Sequence, residues 1–151
     1  MAFVFDNTKP IALGADHAGI EYKNAIKTWL EAKGYAVKDF GTYHTDSVDY
    51  PDFAHPTASS VEKNETCFGI LFCGSANGVA MTANKHAGIR AGLCWETEVA
   101  ELTRLHNNAN VICIPARFVA LDLAKEMIEK FMNTPFEGGR HQNRVNKINC
   151  T

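Results

Sequence analysis

Short apolar runs alternate along this chain with stretches whose apolar residues recur at helical spacing. Ile11 to Ala15 reads as a short strand closing on Gly14-Ala-Asp-His-Ala-Gly19. Tyr22, Ala25, Ile26, Trp29 and Leu30 then fall at helical spacing, with Gly34 as a C-terminal stop. Tyr35 to Phe40 reads as a second strand and Gly41 to Tyr50 as a polar loop. Pro51 and Asp52 suit a helix entry, although Pro56 sits awkwardly one turn in. Cys67 to Cys73 reads as a buried strand, Gly74 to Gly78 as a tight turn, and Val79 to Lys85 as a helix. Ile89 to Cys94 is a strand, Thr97 to Leu105 a helix, Val111 to Ile114 a strand, and Leu121 to Met132 an amphipathic helix. A short helix over Arg140 to Lys147 ends the series.

Strand–helix alternation at this pace predicts an α/β fold, a parallel sheet covered by helices on both faces. Ligands in such sheets gather at the carboxyl ends of the strands. Three predicted loops fall there: Gly14 to Gly19, Gly74 to Gly78, and Pro115 to Arg117. His106 to Asn110 precedes a strand, so it belongs to the opposite edge and would join the same site from another subunit.

Composition narrows the choices. The chain has 151 residues, 46% hydrophobic and 21% charged, which suits one globular domain and disfavours disorder. A net charge of −2 puts nucleic-acid binding at a disadvantage. The 5 cysteines are odd in number, show no C-x-x-C spacing and mostly lie in apolar runs. They read as reduced thiols rather than a disulfide framework. Residues 1–6 lack the pattern of a signal peptide, and no apolar run nears the roughly 20 residues of a membrane span. The expected location is the cytoplasm, away from membranes.

Two glycine loops carry candidate chemistry. Gly14 to Gly19 superficially matches a dinucleotide fingerprint, and Asp39 stands where a ribose-binding acid would be. The middle glycine is missing, however, and Asp16 brings negative charge where pyrophosphate would lie. Asp16 can be a simple turn cap, or it can act with adjacent His17 on a hydroxyl. In Cys73-Gly-Ser-Ala-Asn-Gly78 a cysteine ends a strand just before a helix. Free N–H groups at a helix start can hold an oxyanion and bias a thiol toward thiolate. A small buried cysteine is the plainer alternative. A cysteine phosphatase would need arginine where Val79 stands, and no Lys-Ser or Lys-Thr pair follows Gly78 as a Walker loop requires.

Arg140 and Arg144 lie four residues apart, so a helical turn would aim both at one point. With Arg117 at a strand end, they suit a small phosphate better than a polyanion. None of the six histidines falls in a recognisable metal motif. His106, ahead of Asn107-Asn-Ala-Asn110, suits either a helix C-cap or a proton carrier.

Seven motifs come in one order: Gly14-Ala-Asp-His-Ala-Gly19, Asp49-Tyr-Pro-Asp52, Cys73-Gly-Ser-Ala-Asn-Gly78, Ala83-Asn-Lys85, Gly88-Ile-Arg-Ala91, His106-Asn-Asn-Ala-Asn110 and Glu137-Gly-Gly-Arg-His-Gln-Asn-Arg144. Together they resemble the type B ribose-5-phosphate isomerases, in the group that also holds galactose-6-phosphate isomerase subunits. The resemblance runs from about Ile11 to Ile148. It implies a single Rossmann-like three-layer domain over residues 1–151, with a five-stranded parallel sheet and residues 1–10 as an extra arm. It also implies a homodimer with shared sites, or a tetramer, and a sugar phosphate as ligand. The implied reaction interconverts ribose 5-phosphate and ribulose 5-phosphate with no metal and no organic cofactor.

The resemblance assigns roles as well. Cys73 would move the proton between C1 and C2, and Ser75 would assist at the substrate oxygens. The backbone of Gly74, Ala76, Asn77 and Gly78 would stabilise the enediolate. Asp16 and His17 would contact substrate, His106 would open the furanose ring, and Asn107 would hold a sugar oxygen. Arg117, Arg140 and Arg144 would clamp the phosphate, in part across the subunit boundary. Departures are Ser75 for threonine, Ala76 for glycine, and Val79 where another branch has a glutamate that serves as base. A six-carbon aldose 6-phosphate, or mere binding of a sugar phosphate, are the competing readings.

Overall fold

The structure is a computed structural model that describes residues 2–150. Met1 and Thr151, the outer limits of the expected single domain, lie outside the described residues. Strands and helices alternate as β1 (Ile11–Ala15), α1 (Ile20–Ala32), β2 (Val37–Asp39), α2 (Pro51–Glu62), β3 (Gly69–Cys73) and α3 (Asn77–Ala83). There follow β4 (Ala91–Leu93), α4 (Thr97–Leu105), β5 (Val111–Pro115), α5 (Leu121–Asn133) and α6 (Arg140–Val145). The five strands form one all-parallel sheet in the order β2-β1-β3-β5-β4. This is the expected α/β three-layer architecture.

Alternation along the three central strands builds two cores. Ile11, Leu13, Ile70, Phe72, Ile112 and Ile114 face α1, α4 and α5. Ala12, Leu71, Cys73, Val111 and Cys113 face α2 and α3. β1, β3 and β5 are buried along their whole length, whereas edge strands β2 and β4 are only partly covered. Those edges are shorter than the apolar runs predict, because each pairs with one neighbour over three residues only. α2 does contain Pro56, on its exposed side, where water can serve the carbonyl that loses its partner.

The chain leaves β1 toward β2 on one side and returns to β3 on the other. That reversal opens a crevice at the carboxyl ends of β1 and β3. Gly19 closes α1 against it: a Cβ there would lie 2.6 Å from the Phe72 carbonyl oxygen. Asp39, the candidate ribose acid, is otherwise engaged. Its Oδ2 lies 2.6 Å from Nζ of the fully buried Lys23, and its Oδ1 accepts the Gly41 N–H at 2.8 Å. The arm before β1 is part of the fold: the Val4 N–H donates to the Met132 carbonyl at 2.9 Å, and Phe5 stacks on Phe68.

Candidate active site

Each central strand delivers one group to the crevice. β1 ends before Asp16 and His17, β3 ends on Cys73, and β5 ends before Arg117. A cleft of about 360 Å³ is lined by Asp16, His17, Cys73, Gly74, Ser75, Gly78 and Arg117, together with Tyr50 and Phe118. The three loops predicted at the carboxyl ends therefore meet in one place.

Asp16 holds the first loop. Its Oδ1 accepts the N–H groups of Ala18 at 2.9 Å and Gly19 at 3.2 Å, so it caps the turn and also borders the cleft. His17 Nδ1 accepts the Val48 N–H at 3.1 Å. A neutral His17 then carries its proton on Nε2, ready to donate.

Cys73 is nearly buried, and its Sγ accepts the Ala76 N–H at 3.1 Å. Ala76 reaches this position with φ +62°, the left-handed region that the family's glycine would occupy freely. α3 starts two residues earlier than its apolar pattern predicts, because that left-handed residue is its N-cap. Asn77 and Ser75 are exposed, and Ser75 Oγ lies 3.4 Å from the Asn77 amide nitrogen.

The thiol corrects one expectation. The helix start leads one to expect a lowered Cys73 pKa, yet the pKa is raised. Burial is the largest cause, and the Asp16 carboxylate adds to it. Hydrogen bonds from the N–H groups of Val79, Ala76 and Ser75 pull the other way without prevailing. Cys67, Cys94 and Cys113 are raised by burial too, to about 11, about 12 and well above 9.0 respectively.

Arg117 is the one expected clamp arginine in this cleft. Its side chain lies across Gly74, with Nε 3.0 Å from where a Gly74 Cβ would be. Arg140 and Arg144 lie on α6 instead, exposed, beside the end of α4. His106 is the C-cap of α4, and its ring stacks on that of His141 at 4.3 Å. Their Nε2 atoms lie 4.0 and 3.9 Å from the Glu137 carboxylate. One donor atom from each of the three falls within 4.8 Å of the others, a set that could also draw in a small cation. Among the described residues His141 Nε2 is buried with no hydrogen-bond partner, and burial with the adjacent His106 pushes its pKa down. Asn107 borders a different hollow, of about 640 Å³, with Asn84, Lys85 and Arg90. The predicted residues thus form two groups in one chain, Cys73 with Arg117 and His106 with the α6 arginines. The five residues of β5 separate their levels by roughly 16 Å. Tyr50, Phe118 and His141 are not singled out by the sequence pattern, although Tyr50 and His141 stand inside quoted motifs.

These features define an α/β protein with a cleft at the switch point of its sheet, lined by a cysteine and an arginine. Comparison with known proteins narrows the class: the chain belongs to the ribose/galactose isomerase family, whose model matches residues 11–148. Ribose-5-phosphate isomerase B of Escherichia coli (strain K12) is 43% identical over 140 residues, 93% of this chain and 94% of that one. A ribose 5-phosphate isomerase structure from Thermotoga maritima superposes with a TM-score of 0.91 at 46% identity, covering 93% of this chain and 97% of the other. The Mycoplasma genitalium ribose-5-phosphate isomerase B structure with bound ribulose-5-phosphate gives a TM-score of 0.90 at 41% identity, covering 95% of each chain.

Proposed function

We propose that this chain interconverts D-ribose 5-phosphate and D-ribulose 5-phosphate, with Cys73 carrying the proton between C2 and C1 through an enediolate. Family membership and the relatives' named activity support the reaction. The observation that carries the mechanism is the position of Cys73, at the switch point in a cleft that also holds Asp16, His17 and Arg117.

The steps follow from elementary chemistry. The open-chain aldose offers a weakly acidic C2–H beside the C1 carbonyl. Deprotonated Cys73 takes that proton, the electron pair of the broken C–H bond forms the new C1–C2 double bond, and the C1–O1 π pair moves onto O1. The backbone N–H groups of residues 74–78 oppose the developing charge. A proton passes from O2 to O1, aided by the Ser75 hydroxyl. The Cys73 proton then returns to C1, and the ketose forms. A thiol with a raised pKa is a stronger base once ionised, at the expense of a smaller thiolate fraction. Phosphate held by Arg117 and by Arg140 and Arg144 of a second copy keeps the sugar in register. His106 and Asn107 of that copy open the furanose ring and hold a sugar oxygen. The grouping of these residues at the other edge of the sheet is what favours a shared site in a homodimer.

All five cysteines are free, which suits a reducing compartment, and we assign the chain to the cytoplasm. Among the described residues no helix is long and apolar enough to cross a membrane. A coupled assay on ribose 5-phosphate, run in chelator beside allose and galactose 6-phosphates, tests the reaction. Turnover of the pentose phosphate without added metal is expected. Turnover of a hexose phosphate alone would overturn the assignment.

A further inference from the structure

One buried guanidinium joins the two segments that bear His106 and the α6 arginines. Arg104, on α4, is 5% exposed. Its Nη1 donates to Asn108 Oδ1 at 3.1 Å and to the Ala109 carbonyl at 2.5 Å, in the turn that carries His106 and Asn107. Its Nε donates to the Thr134 carbonyl at 3.0 Å, at the end of α5, where the chain turns toward α6. Nearby, the Glu137 N–H donates to the Leu105 carbonyl at 3.0 Å. Arg90 braces the same turn from outside, with Nε 3.1 Å from the Asn107 carbonyl oxygen and 2.9 Å from that of Asn108. Asn108 itself has φ +49°.

No carboxylate pairs with Arg104 among the described residues. Carbonyl dipoles and two aromatic faces answer its charge instead. Its Cζ lies 4.6 Å from the Phe5 ring centroid and 5.6 Å from that of Phe131. Phe131 belongs to α5, but Phe5 comes from the arm ahead of β1. The arm is fixed there by Phe5 stacking on Phe68 at 4.6 Å and by the Val4–Met132 backbone bond. A cation over aromatic faces is held more strongly where water is excluded. Without the Phe5 ring, water reaches the guanidinium and competes for its donors.

We infer that the N-terminal arm, acting through Phe5 and Arg104, is a positioning element for catalysis: it fixes the His106–Asn107 turn relative to the chain leading into α6. This rests on the reading that those segments serve the active site. Phe5 does not line the cleft, so its effect passes through the packing it shares with Arg104.

The test compares Phe5→Leu, which keeps apolar bulk without a ring, and Phe5→Tyr, which keeps the ring, both in the full chain. Amide hydrogen exchange is read at His106, Asn108 and Ala109, whose N–H groups bond to Leu102, Arg104 and Thr103 carbonyls. Phe5→Leu is expected to speed exchange there about tenfold while Gly19 and Ala76 stay unchanged, and to raise KM for ribose 5-phosphate about fivefold. Phe5→Tyr is expected to restore both. Unchanged exchange in the turn, a uniform acceleration across the fold, or a parental KM despite faster exchange would each overturn the inference. Arg140→Ala and His106→Asn serve as controls. If those two keep parental kinetics, the site reading itself fails. If they are impaired and Phe5→Leu is not, only the arm's role fails.

Discussion

The backbone N–H of Ala76 points at Cys73 Sγ from 3.1 Å, and Ala76 does so from a left-handed conformation. Such a backbone costs an alanine about 1–2 kcal/mol, so packing around the fully buried Ala76 must hold it. The bond favours thiolate, but burial of the sulfur and the Asp16 charge outweigh it. Cys73 in the free protein therefore holds its proton more tightly than an ordinary thiol.

That balance gives a signed expectation for Asp16→Asn. A thiolate is negative, so a neighbouring carboxylate disfavours it, and removing the carboxylate lowers the Cys73 pKa. The alkylation rate of Cys73, followed on its own peptide by mass spectrometry, should titrate at higher pH than a free thiol in the parent and at lower pH in the variant. At a fixed pH on the acid side, the variant should alkylate several-fold faster, approaching tenfold if its midpoint falls by one pH unit. An unmoved midpoint would remove Asp16 from control of the thiol.

Gly74→Ala tests the path from the turn to the phosphate. The new Cβ would stand 3.0 Å from Arg117 Nε and 3.2 Å from its Cδ and Cζ, so the guanidinium must move. With Arg117 as the proposed phosphate donor, displacing it should raise KM several-fold, on the order of 1 kcal/mol. Arg117→Ala should cost more, and the double variant no more than Arg117→Ala alone. Additive losses would show that Gly74 acts by another route.

The Lys23–Asp39 pair tests stability without touching the cleft. Lys23 is wholly buried, and among the described residues Asp39 is its only ion-pair partner. Asp39→Ala strands a buried ammonium and should cost about 3–5 kcal/mol in urea unfolding. Adding Lys23→Met to it should recover most of that loss. A double variant as unstable as the single one would mean that Asp39 matters through the Gly41 turn instead.

His106→Asn should slow turnover of ribose 5-phosphate more than that of ribulose 5-phosphate, which has no furanose ring to open. Mixing it with Cys73→Ala should regain activity through hybrid dimers, each with one intact site. Equal losses in both directions would contradict the ring-opening role, and no recovery on mixing would contradict a shared site.

Much of the fold is legible from one sequence because periodicity reports burial. Apolar spacing alone bounds α4 from Thr97 to Leu105, and it places α5 to within a residue. The crevice follows from which loops end strands. What escapes depends on contacts between distant segments. Nothing local marks Lys23 as buried, since its partner lies on β2. The early start of α3 rests on an alanine with positive φ, which its side chain does not advertise. A helix start beside Cys73 is visible in sequence, whereas the burial and the Asp16 charge that raise its pKa come from the fold. Phe118 reaches the cleft only because the turn after β5 folds back toward it.

Proton transfer by Cys73 is open to direct measurement. Deuterium uptake from solvent into ribulose 5-phosphate, measured for Cys73→Ala at saturating substrate, tests it most directly. A fall of at least about a hundredfold is expected, with binding of the sugar phosphate retained. Deuterium uptake at the parental rate would contradict it.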